Sequence, residues 1–192
     1  MNDLNTLLGH AAAVHGHLCP GQVLGVRMAM AGCRELGIDE PRGSKRLLVY
    51  VEIDRCAADA IGSVTGCRLG KRTMKHVDYG KLAATFYDTV TGRAVRVAAR
   101  EEARERAPLY APQVNGDRHA IQTAAYQVMP EAELMTIHEV RLHVPEEDLP
   151  GPPLGRLRCD RCGEGINDRR EVRNNGHVLC RACAGEAYYE PL

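Results

Sequence analysis

Two pairs of cysteines near the C-terminal end place the strongest constraint on how this chain can fold. Cys159 and Cys162 form one Cys-x-x-Cys pair, Cys180 and Cys183 form the other, and 17 residues separate the pairs. Four thiolates at this spacing are a ligand set for a tetrahedral metal ion. Gly163 follows the first pair and permits the tight turn that aims both of its sulfurs at one point. The spacing predicts a zinc site, with iron as the alternative metal and disulfides as the alternative to a metal.

The residues around these cysteines predict a small module built on the metal. A hairpin turn is expected at Asn175-Gly176, between the two pairs. The second pair opens the sequence CAGEAYYE, which predicts a helix. A knuckle, a hairpin and a helix in this order are similar to a treble-clef zinc finger. About 34 residues bury too little apolar surface to fold alone, so this zinc is expected to be structural.

The charge balance excludes some classes of function. The chain has 192 residues, with 25 lysines and arginines against 25 aspartates and glutamates. A neutral chain is a poor non-specific nucleic-acid binder and a poor electrostatic membrane binder. No apolar run approaches the roughly 20 residues of a membrane span, and the N-terminal residues lack the pattern of a signal peptide. We therefore expect a cytoplasmic protein without nucleic-acid or membrane partners, in which reduced thiols favour metal binding.

The rest of the chain predicts an α+β domain. We expect a core domain over residues 1–145, a proline-rich linker over 146–158 and the zinc finger over 159–192. Apolar periodicity predicts the element order α-α-β-α-β-β-α-α-β, and hence a mixed or antiparallel sheet with packed helices. The predicted helices cover 1–16, 20–37, 56–64, 101–107 and 119–129, and the predicted strands cover 46–54, 81–90, 92–100 and 134–144.

A second group of metal-binding residue types lies near the N-terminus. His15, His17 and Cys19 alternate in the sequence HGHLCPG. Pro20 disfavours the helical conformation at Cys19, and in an extended chain alternate residues point to the same side. Pro20 is also well placed as the first residue of a helix. A thiol at a helix start is expected to have a lowered pKa, which makes it a better ligand or nucleophile.

Cys56 is expected in a similar setting, after a strand and at the start of a helix. If the two helix starts are neighbours, His17, Cys19 and Cys56 could bind one transition metal, with zinc favoured by the nitrogen and sulfur donors. Three protein ligands would leave an open position for water or substrate. Asp59, one turn into the helix, is the candidate hydrogen-bond acceptor or general base. The candidate catalytic residues are therefore Cys19, Cys56, Asp59 and His15.

A glycine-rich turn follows at VTGCRLGKR, residues 64–72. Three residues separate Gly66 from Gly70, so the phosphate loop, which needs four, is excluded. Lys71 in such a turn is still a candidate for binding an anionic cofactor. Lys71 and Lys81 stand out because arginine outnumbers lysine in this chain. The competing interpretation is that both are exposed lysines without a binding role. Cys33, inside an apolar helix, is expected in the core.

Three segments together resemble the FmdE family, named after the E component of a molybdenum or tungsten formylmethanofuran dehydrogenase. They are HGHLCPGQVLGVRMA, EIDRCAADAIGSVTGCRLGKR and DYGKLAATFYD, in this order. The resemblance covers roughly residues 10–145 and implies an α+β core with a mixed sheet, as a homodimer. The family's metal or active-site positions fall here on His17, Cys19 and Cys56, with His15 and Asp59 nearby. The four-cysteine tail is similar to a treble-clef module that some members carry.

The resemblance and the residues together leave three functional hypotheses. The first is a metal-binding accessory or catalytic subunit related to formylmethanofuran dehydrogenase, in one-carbon metabolism, with molybdenum or tungsten enzyme subunits as partners. The second is a non-catalytic zinc protein whose finger recruits a protein or nucleic acid. The third is a stand-alone metal-dependent hydrolase or transferase. The cysteine spacing does not match an iron–sulfur cluster motif, so redox chemistry by this chain alone is not expected.

Overall fold

A computed structural model describes residues 2–190 and 192 of the chain. The chain divides into two compact units, Met1–His143 and Val144–Leu192. None of the described helices combines the length and the apolar character that crossing a bilayer requires.

The first unit contains a five-stranded mixed sheet. Its strands are β1 Leu47–Val51, β2 Met74–His76, β3 Ala83–Asp88, β4 Ala94–Ala99 and β5 Met135–Val140. Their spatial order is β2-β1-β3-β4-β5. The β1–β2 pair is parallel, and the other neighbouring pairs are antiparallel. The α+β class with a mixed sheet, expected from the sequence, is confirmed.

The described residues of the first unit form six α-helices, and all except the last begin close to residues predicted from the sequence. They are α1 Leu4–His15, α2 Pro20–Glu35, α3 Cys56–Thr65, α4 Glu102–Tyr110, α5 Arg118–Val128 and α6 Glu131–Leu134. Asp3 caps α1 by accepting a hydrogen bond from the Thr6 amide, and Gly16 ends the helix in the left-handed region. Pro20 is the first residue of α2 and Cys19 is its N-cap, as the sequence predicts.

Helix α2 packs across the sheet and forms the centre of the core. Val49, Phe86 and Val95 face it from three neighbouring strands, since they lie opposite one another in the strand register. A side chain at Gly32 would overlap the Phe86 ring. Arg27 ties α2 to the end of α5 by donating hydrogen bonds to backbone carbonyls there, at 2.6 and 2.7 Å.

The close approach of α2 and α3 positions the residues of the candidate site. A Cβ atom at Gly25 would lie 2.7 Å from the Ala60 Cβ, and one at Gly21 would lie 3.0 Å from the Cys56 Cβ. Only glycine allows the two helices to pack this tightly. The starts of α2 and α3, which carry Cys19 and Cys56, are therefore neighbours, as the candidate metal site requires.

Two short elements of the first unit are absent from the sequence prediction. The strand β2 has three residues and lies at the edge of the sheet beside β1, and α6 is a single helical turn. Both elements are too short to show a repeating pattern of apolar residues in the sequence. The loop between β3 and β4 contains Gly92, which has a φ of 72°.

The second unit consists of two small hairpins and a helical turn. Strand β6, Arg156–Arg158, pairs with β7, Gly165–Asn167, and β8, Val172–Asn174, pairs with β9, His177–Leu179. The β8–β9 turn is Asn175-Gly176, as predicted, and both residues have positive φ angles.

The remaining parts of the second unit differ in detail from the expectation. The helix expected over CAGEAYYE ends at Glu186, because Gly185 lies in the left-handed region with φ 107°. The residues expected as a linker contain a 3-10 turn, Glu146–Asp148, and strand β6. Among the described residues of this unit, the buried ones are Cys159 and Ile166.

Candidate metal centres and an adjoining cavity

The four cysteines of the second unit converge on one point. Cys159 and Cys162 lie in the turn between β6 and β7. Cys180 precedes the helical turn Ala182–Glu186 that follows β9, and Cys183 lies within this turn. Their four sulfur atoms all lie within 4.8 Å of one another. Zinc–sulfur bonds of about 2.3 Å in a tetrahedron place sulfurs about 3.8 Å apart, so this donor set fits zinc. Gly163, with φ 79°, makes the turn between the strands.

Backbone amides hold these sulfurs in place. The amide of Cys180 donates to the Cys159 sulfur at 3.3 Å, and the amide of Cys183 donates to the Cys180 sulfur at 3.4 Å. Hydrogen bonds from the Cys162 and Cys180 amides lower the pKa of Cys159 to about 6, and the neighbouring Cys180 thiol raises the pKa of Cys183 to about 12. Without a metal, one thiolate therefore forms readily and its neighbours resist further negative charge.

Asp160 connects the two hairpins of this unit. Its backbone amide donates to the carbonyl of Val178 at 2.8 Å, and its carboxylate accepts the Val178 amide at 2.7 Å. The knuckle that carries the first cysteine pair is thus joined to the strand that leads to the second pair.

The first unit contains another candidate metal centre, formed by the side chains of His15, His17 and Cys19. One donor atom from each of these residues lies within 4.8 Å of the others, and we call this group the N-terminal cluster. The ring centroids of the two histidines are 4.9 Å apart. Cys19 is buried, His15 is half-buried and His17 is exposed. A set of two imidazoles and a thiol suits zinc and related transition metals.

Asp59 holds the His15 ring in place. Its Oδ2 atom lies 3.0 Å from His15 Nδ1, across 44 positions in the sequence. With Nδ1 engaged by a carboxylate, the nitrogen that His15 offers to a metal is Nε2. Asp59 therefore lies where it can accept a hydrogen bond from the metal-binding candidate His15. From the sequence, it is expected to be either a hydrogen-bond acceptor or a general base.

Cys56 lies beside Cys19 rather than among the three donors of the N-terminal cluster. Burial of Cys56, together with the adjacent Cys19 thiol, raises its pKa. This differs from the lowered pKa expected at a helix start, because loss of solvent and a neighbouring thiol both oppose the thiolate. The Cys56 carbonyl accepts a hydrogen bond from the buried Gln22 amide at 2.6 Å, which fixes the start of α3 against α2.

A cavity of about 720 Å³ opens beside the two thiols. It lies where the starts of α2 and α3 meet the beginning of β3, the end of β4 and one face each of α4 and α5. Cys19 and Cys56 line one side of it, and Lys81, Arg100 and Gln122 line other parts. We call this space the thiol cavity. Its volume is in the range of pockets that bind small organic molecules.

Lys71, Cys67 and Cys33 lie outside the thiol cavity. Lys71 is exposed on a 3-10 turn and is not among the residues that line the thiol cavity. Cys67 is buried and its thiol donates to the Leu47 carbonyl at 3.5 Å. Cys33 is buried in the core, as expected, and burial raises its pKa to about 12.

Sequence reasoning misses most polar residues of the thiol cavity. Arg55, Arg100, His119 and Gln122 come from different elements, and no local pattern connects them. Lys81 stands out by its residue type, but the position of its side chain depends on the packing of β3. The one available signal is that Arg55 directly precedes Cys56.

Comparison with protein families gives two matches, one for each part of the chain. The model of the family described as "FmdE, Molybdenum formylmethanofuran dehydrogenase operon" matches residues 14–149. The model described as "Prokaryotic dksA/traR C4-type zinc finger" matches residues 152–189. The second match agrees with the four-cysteine ligand set and with zinc as its metal.

Two individual proteins are also similar to this chain. A "Probable S-adenosyl-L-methionine-binding protein" of Archaeoglobus fulgidus is 28% identical over 204 aligned positions, which cover 97% of this chain. The chain spans 55% of that relative's length. The crystal structure of an FmdE-like protein of tungsten formylmethanofuran dehydrogenase, from Syntrophus aciditrophicus, has the same fold. It matches with a TM-score of 0.64 at 20% identity and covers 98% of this chain and 96% of that one.

Proposed function

Because this chain belongs to the FmdE family, we propose that it is a metal-binding subunit related to molybdenum or tungsten formylmethanofuran dehydrogenase. In this proposal, the N-terminal cluster holds a transition metal next to the thiol cavity, and the second unit holds a structural zinc. The observation that carries the proposal is the convergence of His15, His17 and Cys19 within 4.8 Å, beside a cavity of small-molecule size.

The residues of the first unit have distinct roles in this proposal. His15, His17 and Cys19 would hold the metal, with zinc favoured by their nitrogen and sulfur donors. Asp59 orients the His15 ring by accepting its Nδ1–H. Cys56 lies against Cys19 at the wall of the cavity, where it can serve as a further ligand or contact a bound molecule. A metal here would supply Lewis acidity to that molecule or to water.

A stand-alone metal-dependent hydrolase or transferase is the second candidate function. The thiol cavity favours it, because a purely structural metal is surrounded by protein on all sides whereas a catalytic one faces open space. Activity of the isolated chain on a small substrate would favour this candidate. Activity only in the presence of molybdenum or tungsten enzyme subunits would favour the first.

S-adenosylmethionine, named in the description of the Archaeoglobus relative, is a poorer candidate for the thiol cavity. That description covers a protein of which this chain spans 55%. The cavity walls carry Arg55, Lys81 and Arg100, which would attract the carboxylate of S-adenosylmethionine but repel its sulfonium and ammonium groups, so that its net positive charge is disfavoured. The charge of the cavity therefore favours a different class of ligand.

Two further features of the proposal concern assembly and location. We propose a homodimer with molybdenum or tungsten enzyme subunits as partners, on the basis of the family. We also propose a cytoplasmic location, because reduced thiols of the kind that a four-cysteine zinc site needs persist in a reducing compartment. A mass of about 42 kDa by light scattering, twice the 21.1 kDa of the chain, is the expected result for the dimer.

Elemental analysis of the full chain tests the metal centre directly. We expect two metal equivalents in the unmodified protein and one in the Cys19→Ser/Cys56→Ser variant and in His17→Ala. His10→Ala is the matched control, because His10 is an exposed histidine of α1 outside the cluster. The proposal fails if the double variant retains both equivalents, or if the unmodified protein binds only the zinc of the second unit.

A further inference from the structure

The thiol cavity differs in charge from the rest of the protein. Five cationic side chains and one carboxylate line it, in a chain with equal numbers of positive and negative residues. We propose that this cavity binds an organic anion and that Lys81 and Arg100 hold its carboxylate or phosphate group. The inference gives a substrate class for the proposed metal centre. Only the later reaction of the anion rests on that proposed function, whereas its binding does not.

Some of the cations are already neutralised by protein carboxylates. Arg96 donates two hydrogen bonds of 2.7 Å to the buried carboxylate of Glu52. The Nε atom of Arg104 lies 3.3 Å from Oε2 of Glu101. These pairs account for two of the five charges. They leave Arg55, Lys81 and Arg100 as the cations whose charge is available to a ligand.

No carboxylate of the described residues lies within 4 Å of the charged groups of Arg55, Lys81 or Arg100. The three residues come from the start of α3, the approach to β3 and the end of β4, yet they line the same cavity. All three residues are exposed, so their positive charge is accessible to a ligand that enters the cavity. An anion that binds in the cavity would supply the counter-charge that the neighbouring carboxylates do not.

Gln122 provides a second, independent sign of a missing ligand. Its side chain is nine-tenths buried and lines the cavity, and its Nε2 atom has no hydrogen-bond partner. A buried amide donor without an acceptor is costly, and buried polar atoms of folded proteins are nearly always paired. An oxygen atom of a bound anion is the acceptor that this position lacks.

The two helix starts at the cavity favour negative charge as well. Helices α2 and α3 have 16 and 10 residues, and neither has a side-chain cap at its first turn. Their first turns carry free backbone N–H groups and the positive end of the helix dipole. Cys19, Gly21 and Cys56 place both starts in the wall of the cavity. A negatively charged ligand is thus favoured by the helix starts, by the unpaired cations and by the unpaired Gln122 amide.

The rest of the wall indicates that the anion is organic. Leu24, Ile53, Leu82 and Tyr126 contribute apolar surface, and the volume of about 720 Å³ far exceeds that of a phosphate ion. Pockets of this kind combine an apolar lining with a few fixed polar groups that orient the ligand. We therefore expect a carboxylate or phosphate attached to an apolar or aromatic body.

NMR titration of the full-length protein with three small probes tests this inference. Phenyl phosphate and benzoate carry the two candidate anionic groups on an aromatic body, and benzyl alcohol is the neutral counterpart. We expect at least one anion to bind at least tenfold more tightly than the alcohol, and the tighter anion identifies the group that is held. Equal binding of the alcohol, or no saturable binding of either anion, would overturn the inference.

Charge-removing variants locate the binding site. Lys81→Gln and Arg100→Gln should each weaken the tighter anion about tenfold, as expected for loss of one charged hydrogen bond. Lys45→Gln and Arg141→Gln remove the same charges from exposed positions that do not line the cavity, and should leave binding unchanged. Gln122→Leu should weaken it by a smaller factor. Equal losses in the cavity and control variants would show a general charge effect and overturn the inference.

A metal-free titration separates this inference from the proposed function. A metal in the N-terminal cluster could itself attract an anion, so the titration is repeated with Cys19→Ser/Cys56→Ser, with its metal content measured separately. Anion binding that persists and still depends on Lys81 and Arg100 supports the cavity site, whatever the metal content shows. The inference is overturned if anion binding disappears in the double variant and if, in the unmodified protein, Lys81→Gln and Arg100→Gln leave binding unchanged. That outcome would leave the proposed metal centre standing.

Discussion

The two units of this protein are held together by different means. The first has a continuous apolar core of helix and strand residues, with Phe86, Tyr126 and Met28 almost fully buried. In the described part of the second, only Cys159 and Ile166 are buried. A unit with so little buried apolar surface needs another source of stability, and its four converging thiols identify that source as the metal. The first unit folds around side chains, and the second folds around an ion.

The two candidate metal centres also differ, because one resembles a structural site and the other resembles a site that contacts a substrate. In the second unit four equivalent sulfurs surround one point, which is typical of a structural zinc. The N-terminal cluster combines two imidazoles with one thiol and lies beside a cavity, which is typical of a metal that contacts a substrate. The comparison predicts that removing metal will unfold one unit and leave the other folded.

The largest effect is expected when the second unit loses its zinc. Cys159→Ser/Cys162→Ser, or a strong chelator, should abolish its ordered structure, because structural zinc contributes about 10–16 kcal/mol of binding free energy in small modules. The amide NMR signals of residues 144–192 should collapse to random-coil positions while those of the first unit stay dispersed. Cys19→Ser/Cys56→Ser is the matched control and should leave the second unit folded. Dispersed signals from a metal-free second unit would contradict this comparison.

The first unit should instead be sensitive to the ion pair formed by its buried Asp88. Asp88 is fully buried, and Arg46 donates two hydrogen bonds of 2.6 Å to it, which holds the pKa of that carboxyl well below its usual value of 3.8. Asp88→Asn should lower the free energy of unfolding by about 3 kcal/mol, because the buried side chain loses its charge and one of the two oxygen acceptors that Arg46 and Thr91 use. Glu139→Gln, which breaks the exposed pair with Arg93, should cost less than about 0.5 kcal/mol.

The same pair predicts an acid dependence of stability. A carboxyl whose pKa is depressed in the folded state contributes stability above its unfolded pKa and loses that contribution as the pH falls through its folded value. Stability of the first unit should therefore decline below about pH 3.8 in the unmodified protein. The decline should be shallower in Asp88→Asn, measured by urea unfolding at a series of pH values. Identical pH profiles would show that Asp88 is not a source of acid sensitivity.

How far the sequence predicts the molecule depends on the distance between the residues involved. The zinc ligands lie within 25 consecutive positions, and their spacing alone specifies the site. The helix start at Pro20 and the turn at Asn175-Gly176 follow from local backbone preferences, and both predictions are confirmed. The family resemblance is confirmed as well, because its three motifs are contiguous segments.

The thiol cavity and the pairing of His15 with Asp59 are not accessible to the same reasoning. Arg55, Lys81, Arg100 and Gln122 meet only because β3 and β4 are antiparallel and α5 packs against α2. Asp59 could be placed near the cluster from the sequence, but the atom that it contacts depends on the crossing of α1 and α3. Such contacts are set by tertiary packing, which residue patterns along a single chain do not encode.

A smaller effect is expected where the two helices of the candidate site touch. Gly25→Ala inserts a Cβ that would lie 2.7 Å from the Ala60 Cβ and 2.8 Å from the Ala57 Cα. Overpacking of this kind should cost about 1–3 kcal/mol and move the start of α3 away from Cys19. Thermal unfolding should show the loss of stability, and elemental analysis should show less metal in the first unit. Gly9→Ala in α1, with no atom within 4 Å, should instead stabilise by up to about 1 kcal/mol.

The smallest effect concerns Asp59 and separates a positioning role from a structural one. The carboxylate is 61% exposed, so its contact with His15 contributes little to folding, and Asp59→Asn should change the unfolding temperature by less than about 1 °C. Loss of a carboxylate that orients a metal-binding histidine typically weakens metal affinity 10–100-fold. We expect about tenfold here, because solvent weakens the contact of the exposed Asp59 carboxylate with His15. Competition with a chromophoric chelator measures the affinity of the N-terminal cluster, while the zinc of the second unit serves as an internal reference. If Asp59→Asn weakened neither metal, or both equally, the carboxylate would not be acting through His15.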